Sequence, residues 1–312
     1  MIVQFKTEGT ELNRVVKLLN VFIESDRVKC PGDVKKFIFL CGANRTNGQP
    51  SARRSELISF SEKNLQNCHF FLAELIFKEL SQDDEAISDN LLDIESELSA
   101  LADHILIILE SYSSFTELGA FSYSKELRSK LIIVNNSKYI FEKSFINMGP
   151  IKAVSEAQQK GHFLHYKMSE RPDSIDRVDG IGEIFSPLYK ILSKKTRKQA
   201  RTLKKVNLNP AVRFDKDSIR FIHDVIFTCG SVRLQELIDI LVALFGNDHS
   251  YKKGLLKHLG ILKAINIIGH NEEYYFSAQR EYYFRYDFDI ESISSIIKVY
   301  FLKNDPKRIY QV

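Results

Sequence analysis

The sequence lacks the features that mark several common classes of protein. It has no apolar run of the ~18 residues that a membrane-spanning helix needs, so no membrane span is expected. Only four of its 312 residues are cysteine, and no two form a CxxC pair, so neither a metal site nor a disulfide framework is predicted. It also lacks a GxGxxG motif and a Walker phosphate loop. Since the N-terminus shows no cleavable signal pattern, a reduced, cytoplasmic setting is expected.

The composition is that of a globular chain whose charge is unevenly distributed. Hydrophobic residues make up 44% and charged residues 27%, and the length suits two domains. Residues 1–190 carry 23 basic and 27 acidic side chains, whereas residues 191–312 carry 21 basic and 13 acidic ones. This asymmetry predicts a mildly acidic half and a basic half that meets a polyanion. Two ordinary solvated surfaces are the alternative.

Short apolar runs alternate with helical patterns through the first half of the chain. The candidate strands cover residues 36–41, 67–72, 105–109 and 130–134. Strands that alternate with helices predict an α/β fold, here a flavodoxin-like or Rossmann-like parallel sheet with helices on both faces. In such sheets, ligands bind in the crevice at the carboxyl ends of the strands.

The stretch 103–121 places polar groups at that edge. An apolar run is followed by a predicted loop with Ser111, Ser113 and Ser114, and then by a helix with Glu117 in its first turn. The exposed N–H groups of a first turn should keep this carboxylate ionised at neutral pH. An ionised carboxylate can attack the anomeric carbon of a sugar, and the serine hydroxyls could hold a ribose or a phosphate. The alternative is a helix N-terminal acid with no catalytic role.

The end of the first predicted strand offers a second polar group. Gly42 follows that strand, and a predicted helix with Arg53 and Arg54 in its first turn comes next. A strand, a glycine and then a helix can place backbone N–H groups near an anion. The two arginines either bind phosphate or pair with Glu56 and its neighbours.

The last third of the chain has a different pattern. Three predicted helices precede a predicted hairpin within residues 260–276, with Ser231 as the cap of the second helix. This order predicts a winged helix-turn-helix domain whose third helix, residues 250–259, recognises nucleic acid. Binding of a protein, or dimerisation, is the alternative. The polar face of the third helix would comprise Tyr251, Lys252, Lys253, Lys257 and His258.

A strongly basic strip precedes this module. Residues 194–205 contain seven basic side chains, no acid and no aromatic ring, so phosphate contacts are the specific role that the strip could have. A solvated helix or linker is the alternative. The predicted organisation is a helical segment (1–35), the α/β domain (36–190), a basic linker (191–210) and the winged helix-turn-helix domain (211–312). The residues predicted to contact nucleic acid or a partner are Lys194, Lys195, Arg197, Lys198, Arg201, Lys252, Lys253 and Lys257.

The segment SSFTELGAF, after a strand ending in LES, resembles the motif of the nucleoside 2-deoxyribosyltransferase-like family. In that family the glutamate of a small-x-x-x-Glu-hydrophobic-Gly segment is the catalytic nucleophile, and Glu117 occupies its place. The segment FIFLCG with Asn44 and Arg45 resembles the family's first strand and base-binding loop, and the AEL of residues 73–75 recurs in relatives. The resemblance covers residues 36–153.

The order of the segments, the ending SFINMGPI and the appended module resemble the effector proteins of type II retrons. This resemblance implies an N-glycosidase toxin of anti-phage defence that acts by abortive infection. Its substrate would be a nucleotide such as NAD, with nicotinamide released and no cofactor. The implied partners are a reverse transcriptase, its msDNA and noncoding RNA, which hold the toxin inactive, and further copies of the chain in a homo-oligomer.

The resemblance assigns roles residue by residue. Glu117 would be catalytic. The substrate-binding residues would be Gly42, Asn44, Arg45, Arg54, Glu74, Asp103, Ser113 and Ser114. A role as structural caps is the alternative for Glu74 and Asp103. The chain departs from the family where Ser111 and Tyr112 replace an acidic residue and where serines replace loop glycines, which favours hydrolysis over transfer to a second base. Deoxyribosyl transfer, a non-catalytic nucleotide-sensing DNA-binding regulator and a transcriptional repressor are the alternatives.

Overall fold

The computed structural model describes residues 11–80, 91–157, 162–171, 173–194, 199–246, 251–271 and 273–311. The α-helices are α1 (Glu11–Glu24), α2 (Ala52–Asn64), α3 (Ala73–Leu80), α4 (Leu91–Leu101), α5 (Tyr112–Tyr123), α6 (Lys125–Arg128), α7 (Lys152–Ala157), α8 (Phe185–Leu192), α9 (Lys205–Leu208), α10 (Lys216–Cys229), α11 (Leu234–Phe245), α12 (Tyr251–Ala264) and α13 (Ile290–Asn304). The strands are β1 (Val28–Cys30), β2 (Lys36–Cys41), β3 (Cys68–Phe71), β4 (His104–Ile108), β5 (Leu131–Asn136), β6 (Phe163–Tyr166), β7 (Arg201–Leu203), β8 (Ser231–Arg233), β9 (Ile268–Asn271), β10 (Tyr274–Ser277) and β11 (Arg285–Tyr286).

The chain divides into two compact units. The sheet unit comprises residues 35–74 and 89–195. The helical unit comprises residues 1–34, 75–88 and 196–312, so helix α1 belongs to the same unit as the last third of the chain. Within the predicted basic linker, the structure contains the strand β7 and the helix α9.

The sheet unit is built on five parallel strands. Their order is β3-β2-β4-β5-β6, with Phe39 of β2 opposite Ile105 of β4 and Ile105 opposite Leu131 of β5. Counted within the sheet this is the order 2-1-3-4-5, which is that of flavodoxin-like sheets. The strands β4 and β5 are buried almost throughout, as expected for a parallel sheet covered on both faces. The predicted α/β sheet is therefore confirmed.

Successive side chains of β2 point to opposite faces of this sheet. Ile38 and Leu40 lie in one core cluster with Leu57 of α2 and residues of α8. Phe39 points the other way, and its ring meets the ring of Phe121 in α5 at a centroid distance of 6.2 Å. Complete burial of one such side chain contributes about 1.5–3 kcal/mol. The helix α5 is thereby held against the sheet, which orients the residues on its flanks.

The helical unit contains two small antiparallel sheets. In one of them the strands lie in the order β8-β10-β9. In the sequence, β8 follows α10, and β9 and β10 come after α11 and α12. The strands β11, β1 and β7 form the other. Helix α1 packs against α11 and α13. An N-terminal element and a C-terminal element thus share one core.

Three local predictions for this unit were wrong at their boundaries. Ser231 is the first residue of a strand and not a helix cap, since α11 begins at Leu234. Helix α12 continues to Ala264, so the hairpin begins at Ile268, because residues 260–264 fit a helix as well as a strand. In the predicted helical segment 1–35, helix α1 ends at Glu24 and the strand β1 follows it, while residues 1–10 lie outside the described part of the chain.

In the part of the chain that the structure describes, no helix combines the length and the apolar character needed to cross a lipid bilayer.

Candidate active site

The predicted serine loop is the capped start of helix α5. Ser111 is the N-cap residue, and its Oγ accepts a hydrogen bond from the backbone N–H of Ser114 at 3.3 Å. In return, the Oγ of Ser114 accepts from the N–H of Ser111 at 3.1 Å and from that of Glu110 at 3.2 Å. Ser114 is completely buried and is used for capping, and its contact with substrate stays a prediction. Ser113 is exposed, with its hydroxyl 2.9 Å from that of Ser111.

Glu117 lies in the second turn of α5, not in the first. Its side chain is half-buried, and its Oε2 is buried without a hydrogen-bond partner among the described residues. Burial raises the pKa of Glu117 to about 7, and the negative charge of Glu95 adds to the rise, whereas Arg54 lowers the pKa. The predicted full ionisation at neutral pH is therefore wrong. The helix dipole acts over the first turn only, whereas desolvation dominates at this position.

Arg54 connects several of the predicted substrate-binding residues. Its guanidinium is buried and holds Glu74 in two contacts, Nη1–Oε1 at 2.6 Å and Nη2–Oε2 at 3.1 Å. The same Nη1 donates to the Oδ1 of Asn44 at 2.6 Å. A Cβ at Gly42 would lie 2.9 Å from the Cδ of Arg54, so the glycine permits the arginine to pass. Arg45, in the same loop, has a buried Nε without a partner among the described residues.

A second buried ion-pair network lies beside this one, and its contacts were not predicted from the sequence. Arg53 donates to Glu110 at 2.9 Å and to Asp179 at 2.7 Å, and both pairs are almost completely buried. Glu110 also accepts from the hydroxyl of Ser51 at 2.6 Å. The sequence placed Arg53 in the helix after the first predicted strand, but it did not predict the pair with Glu110. It gave no signal for Asp179, which is 126 residues from Arg53. The predicted pairing of the arginines with Glu56 is replaced by these contacts.

Asp103 lies at the opposite edge of the sheet from Glu117. It precedes β4, and its Oδ2 accepts a hydrogen bond from the N–H of Phe37 at 2.9 Å, near the start of β2. Its own N–H donates to the carbonyl of Phe37 at 2.7 Å. Because parallel strands begin at the same edge, this carboxylate joins two strand starts and does not reach the carboxyl edge. The structure thus shows the structural role of Asp103, and its place among the substrate-binding residues stays a prediction.

A cavity of about 620 Å³ opens at the carboxyl ends of β4 and β5. Its wall includes Tyr112 and Phe115 of α5, Asn135 and Asn136 of β5, and Glu170. The volume falls within the range for small-molecule sites. Glu117 is not among the residues that line this cavity. Glu117 interacts instead with the group around Arg54, whose members are Cys41, Glu74 and Glu95.

The predicted nucleic-acid contacts are only partly described. Lys194 is exposed, whereas Arg201 pairs with Asp217 at 2.7 Å. The ammonium of Lys257 lies 4.7 Å from the ring centroid of Phe214. His258 is buried, so its predicted place on a polar face is wrong. The residues Lys195, Arg197 and Lys198 and the side chains of Lys252 and Lys253 lie outside the described part of the chain.

Fold and site together define a class of protein. The chain joins an α/β sheet unit, with a half-buried glutamate on the helix after a central strand, to a helical unit with two small sheets. Comparison with known proteins gives the family. The profile of the STM3845 retron effector protein family matches residues 50–270, and the chain belongs to this family. The predicted retron effector family is therefore confirmed.

Two relatives from Escherichia coli carry names with more detail. The retron Ec73 ribosyltransferase/DNA-binding protein is 66% identical over 310 residues, which cover 99% of this chain and 98% of that protein. The retron Ec86 ribosyltransferase/DNA-binding protein is 28% identical over 270 residues, which cover 85% of this chain and 83% of that protein. Both names give the ribosyltransferase/DNA-binding assignment as provisional.

Proposed function

We propose that this retron effector is an N-glycosidase that hydrolyses the nicotinamide–ribose bond of NAD, with Glu117 as the nucleophile. The observation that carries the proposal is the state of Glu117. It is a half-buried carboxylate with one oxygen lacking a partner among the described residues, and its pKa is raised to about 7. A group that titrates near neutral pH in a partly desolvated position is a candidate for chemistry.

The proposed reaction needs one carboxylate and water. One oxygen of ionised Glu117 attacks the anomeric carbon of the ribose while the bond to the nicotinamide nitrogen breaks. The electron pair of that bond neutralises the positively charged ring, so nicotinamide leaves without being protonated. Water then cleaves the ADP-ribosyl ester, which restores the carboxylate and releases ADP-ribose and one proton. A neutral nucleobase would need a proton donor to leave.

The charges around Glu117 favour such a cationic leaving group. Glu74 and Glu95 both raise the pKa of Glu117, and Arg54 is the cation that opposes them. Arg54 is already bound by Glu74 at 2.6 Å. A positively charged pyridinium ring would therefore be attracted to this group of carboxylates, and so would the positive charge that develops on the sugar as the bond breaks.

The direct test is the release of nicotinamide from NAD, followed by chromatography. Because the amide of Glu117→Gln cannot act as a nucleophile, this variant should lose at least about a thousandfold in rate. The matched control is Glu62→Gln, which changes an exposed glutamate of α2 and should keep the wild-type rate. The proposal would be contradicted if NAD stayed intact after incubation with the wild-type protein under activating conditions. Toxicity that survives Glu117→Gln would favour a non-catalytic nucleotide sensor.

Transfer to a second base is the competing reaction, and the relatives' names favour it. Transfer and hydrolysis share the glycosyl ester and differ in what attacks it. Addition of a free nucleobase to the NAD reaction distinguishes them, because transfer joins the ADP-ribosyl group to that base and releases a proton, at the expense of free ADP-ribose. We expect ADP-ribose to remain the product, since serines replace loop glycines in the sequence.

The second part of the proposal concerns nucleic acid. The helical unit runs α10, β8, α11, α12, β9, β10, with the strand order β8-β10-β9, and this arrangement supports a winged helix-turn-helix domain. The excess of basic residues after residue 190 supports binding of msDNA. We expect the affinity for msDNA to fall steeply with salt. It should also fall in Lys252→Glu/Lys253→Glu, but not in Lys303→Glu, which alters an exposed residue of α13.

The family places the chain in a retron system, and we propose that the reverse transcriptase with its msDNA and noncoding RNA holds the effector inactive. Expression of the effector alone should then arrest growth, whereas co-expression of these partners should restore it. Arrest that is unchanged by the partners would contradict this regulation. Even then, growth arrest by the effector alone could still be used to test the proposed enzymatic activity.

We also propose a homo-oligomer. Large apolar side chains of the sheet unit lie in solvent, among them Tyr112 at 95%, Phe141 at 93% and Phe145 at 83% exposure. Exposed aromatic residues of this kind mark protein interaction surfaces. Light scattering should give a mass above that of one 36.0 kDa chain, and Phe141→Ser/Phe145→Ser should lower it.

A further inference from the structure

The helical unit contains a cavity that the proposed function does not use. It has a volume of about 640 Å³ and lies where the end of α10, the start of β8, the end of β10 and one side of α13 meet. Small-molecule sites have volumes of about 300–1,000 Å³, so the cavity could hold one ligand of drug or nucleotide size.

The wall of this cavity is basic. Its lining among the described residues contains Arg280, Lys298 and Arg308 and no acidic residue. Arg308 is neutralised, because it pairs with Glu236 and also donates to the carbonyl of Ser231 at 2.8 Å. Among the residues that the structure describes, Arg280 and Lys298 form no ion pair. Two positive charges at the cavity are therefore available to an anionic ligand.

Lys298 is held in position although no carboxylate binds it. Its aliphatic chain runs along Gly230, where an added Cβ would lie 3.5 Å from the lysine Cε. Gly230 has a φ of +79°, a conformation that favours glycine. The ammonium lies 5.4 Å from the ring centroid of Phe227, within cation–π distance. The lysine is thus placed against the cavity wall by packing and by an aromatic ring.

Aromatic and hydroxyl groups complete the wall. Phe227, Phe276 and Phe301 all line the cavity, and aromatic side chains of this kind can pack against a flat ring. Ser231, also in the wall, has a buried hydroxyl without a hydrogen-bond partner within the described ranges. A buried hydroxyl without a partner costs free energy, and a polar ligand atom would remove that cost.

We propose that this cavity binds a free mononucleotide, with the phosphate at Lys298 and Arg280 and the base among the three phenylalanine rings. A nucleotide is the ligand class that combines a flat ring with an anionic group at a size near the cavity volume. The helical unit would thereby respond to a nucleotide at a site separate from Glu117. This inference is independent of the proposed glycosidase activity.

The experiment is calorimetric titration of the full chain carrying Glu117→Gln, which prevents turnover. The probes are adenosine monophosphate, adenosine and inorganic phosphate. We expect adenosine monophosphate to bind at least about tenfold more tightly than either fragment, because only it engages both the rings and the cations. Equal binding of the nucleotide and adenosine, or no binding of the nucleotide at millimolar concentration, would overturn the proposal.

Variants assign the binding event to this cavity. Lys298→Glu, added to the Glu117→Gln variant, should weaken nucleotide binding about tenfold or more. The substitution reverses the charge that is proposed to contact the phosphate. The control Lys303→Glu, on the exposed side of the same helix, should leave binding unchanged. If Lys298→Glu does not change binding, the nucleotide binds elsewhere and the assignment to this cavity is overturned. The assignment is also overturned if a 5′-phosphorylated oligonucleotide binds and the mononucleotide does not. NAD hydrolysis by the single variant Lys298→Glu should equal that of wild type, so either proposal can fail alone.

Discussion

Arg54 and Glu74 form a two-contact ion pair at 2.6 and 3.1 Å in which the arginine is buried. The pair has a consequence for Glu117, because Arg54 is the cation that lowers the pKa of that residue. Since Glu74 shares the positive charge, the arginine does not offset the desolvation of Glu117. The pKa of Glu117 is therefore raised to about 7, although an arginine lies in its surroundings.

If Glu117 is the nucleophile, as proposed, the pH dependence of NAD hydrolysis should follow its ionisation. Its pKa is raised to about 7, so the ionised form that attacks the sugar accumulates as the pH rises through 7. Glu95→Gln removes a negative charge that raises this pKa, so the rising limb of the pH–rate profile should move to lower pH by up to about one unit. Rates of NAD hydrolysis between pH 5 and 9 measure the shift. A rising limb at the same pH in both proteins would mean that Glu95 does not affect the pKa of Glu117.

The same pKa predicts an effect on stability. The folded chain binds the Glu117 proton up to about pH 7, whereas an ordinary glutamate loses it near 4.5. The contribution of this group to stability is full below about pH 4.5 and is lost as the pH rises through about 7. Glu117→Gln should therefore raise the Tm at pH 8 more than at pH 5, each 1 kcal/mol appearing as about 2–4 °C. Calorimetry at both values measures this, and an equal change at both would contradict it.

Asp224 should be critical for the stability of the helical unit. It is completely buried and accepts hydrogen bonds from His223 Nδ1 at 2.9 Å, Tyr283 N at 2.8 Å, Phe284 N at 3.0 Å and Tyr286 Oη at 2.9 Å. Asp224→Ala leaves these donors buried without an acceptor, so the free energy of unfolding should fall by about 3–5 kcal/mol. Urea unfolding measures the change.

The matched control for Asp224 is Asp33→Asn, which alters an exposed carboxylate of the same unit and should change the free energy of unfolding by less than about 0.5 kcal/mol. Equal effects of the two substitutions would show that the buried hydrogen bonds of Asp224 contribute little.

His258 should make the helical unit sensitive to acid. Burial lowers its pKa to about 4, and its ring contacts the hydroxyl of Ser218 at 3.0 Å and the carbonyl of Gly254 at 2.6 Å. An unfolded histidine takes up a proton near pH 6.5, so its contribution to stability is lost as the pH falls from about 6.5 towards 4. Between these values the Tm of His258→Gln should fall less steeply than that of wild type. Parallel Tm curves would exclude His258 as the source.

The alternation of apolar runs and helical patterns was enough to predict the parallel sheet. The runs that became β2, β4 and β5 were visible because both faces of such strands are buried. The boundaries near Ser231 and Ala264 were not predictable, because short apolar stretches fit either a helix or a strand until their neighbours are known. The pairing of β1 with β7 and β11 joins distant parts of the chain, which local pattern does not encode.

For the candidate site, the sequence by itself determined the residue types and their order: a glutamate beyond a central strand, an arginine pair after the first strand, and a basic last third. Only the tertiary structure decided their chemistry. It buried Ser114 in a helix cap, placed Asp103 at the far edge of the sheet and set Arg54 against Glu74. Desolvation and the distances between charges set the pKa of Glu117, and both depend on residues far apart in the chain.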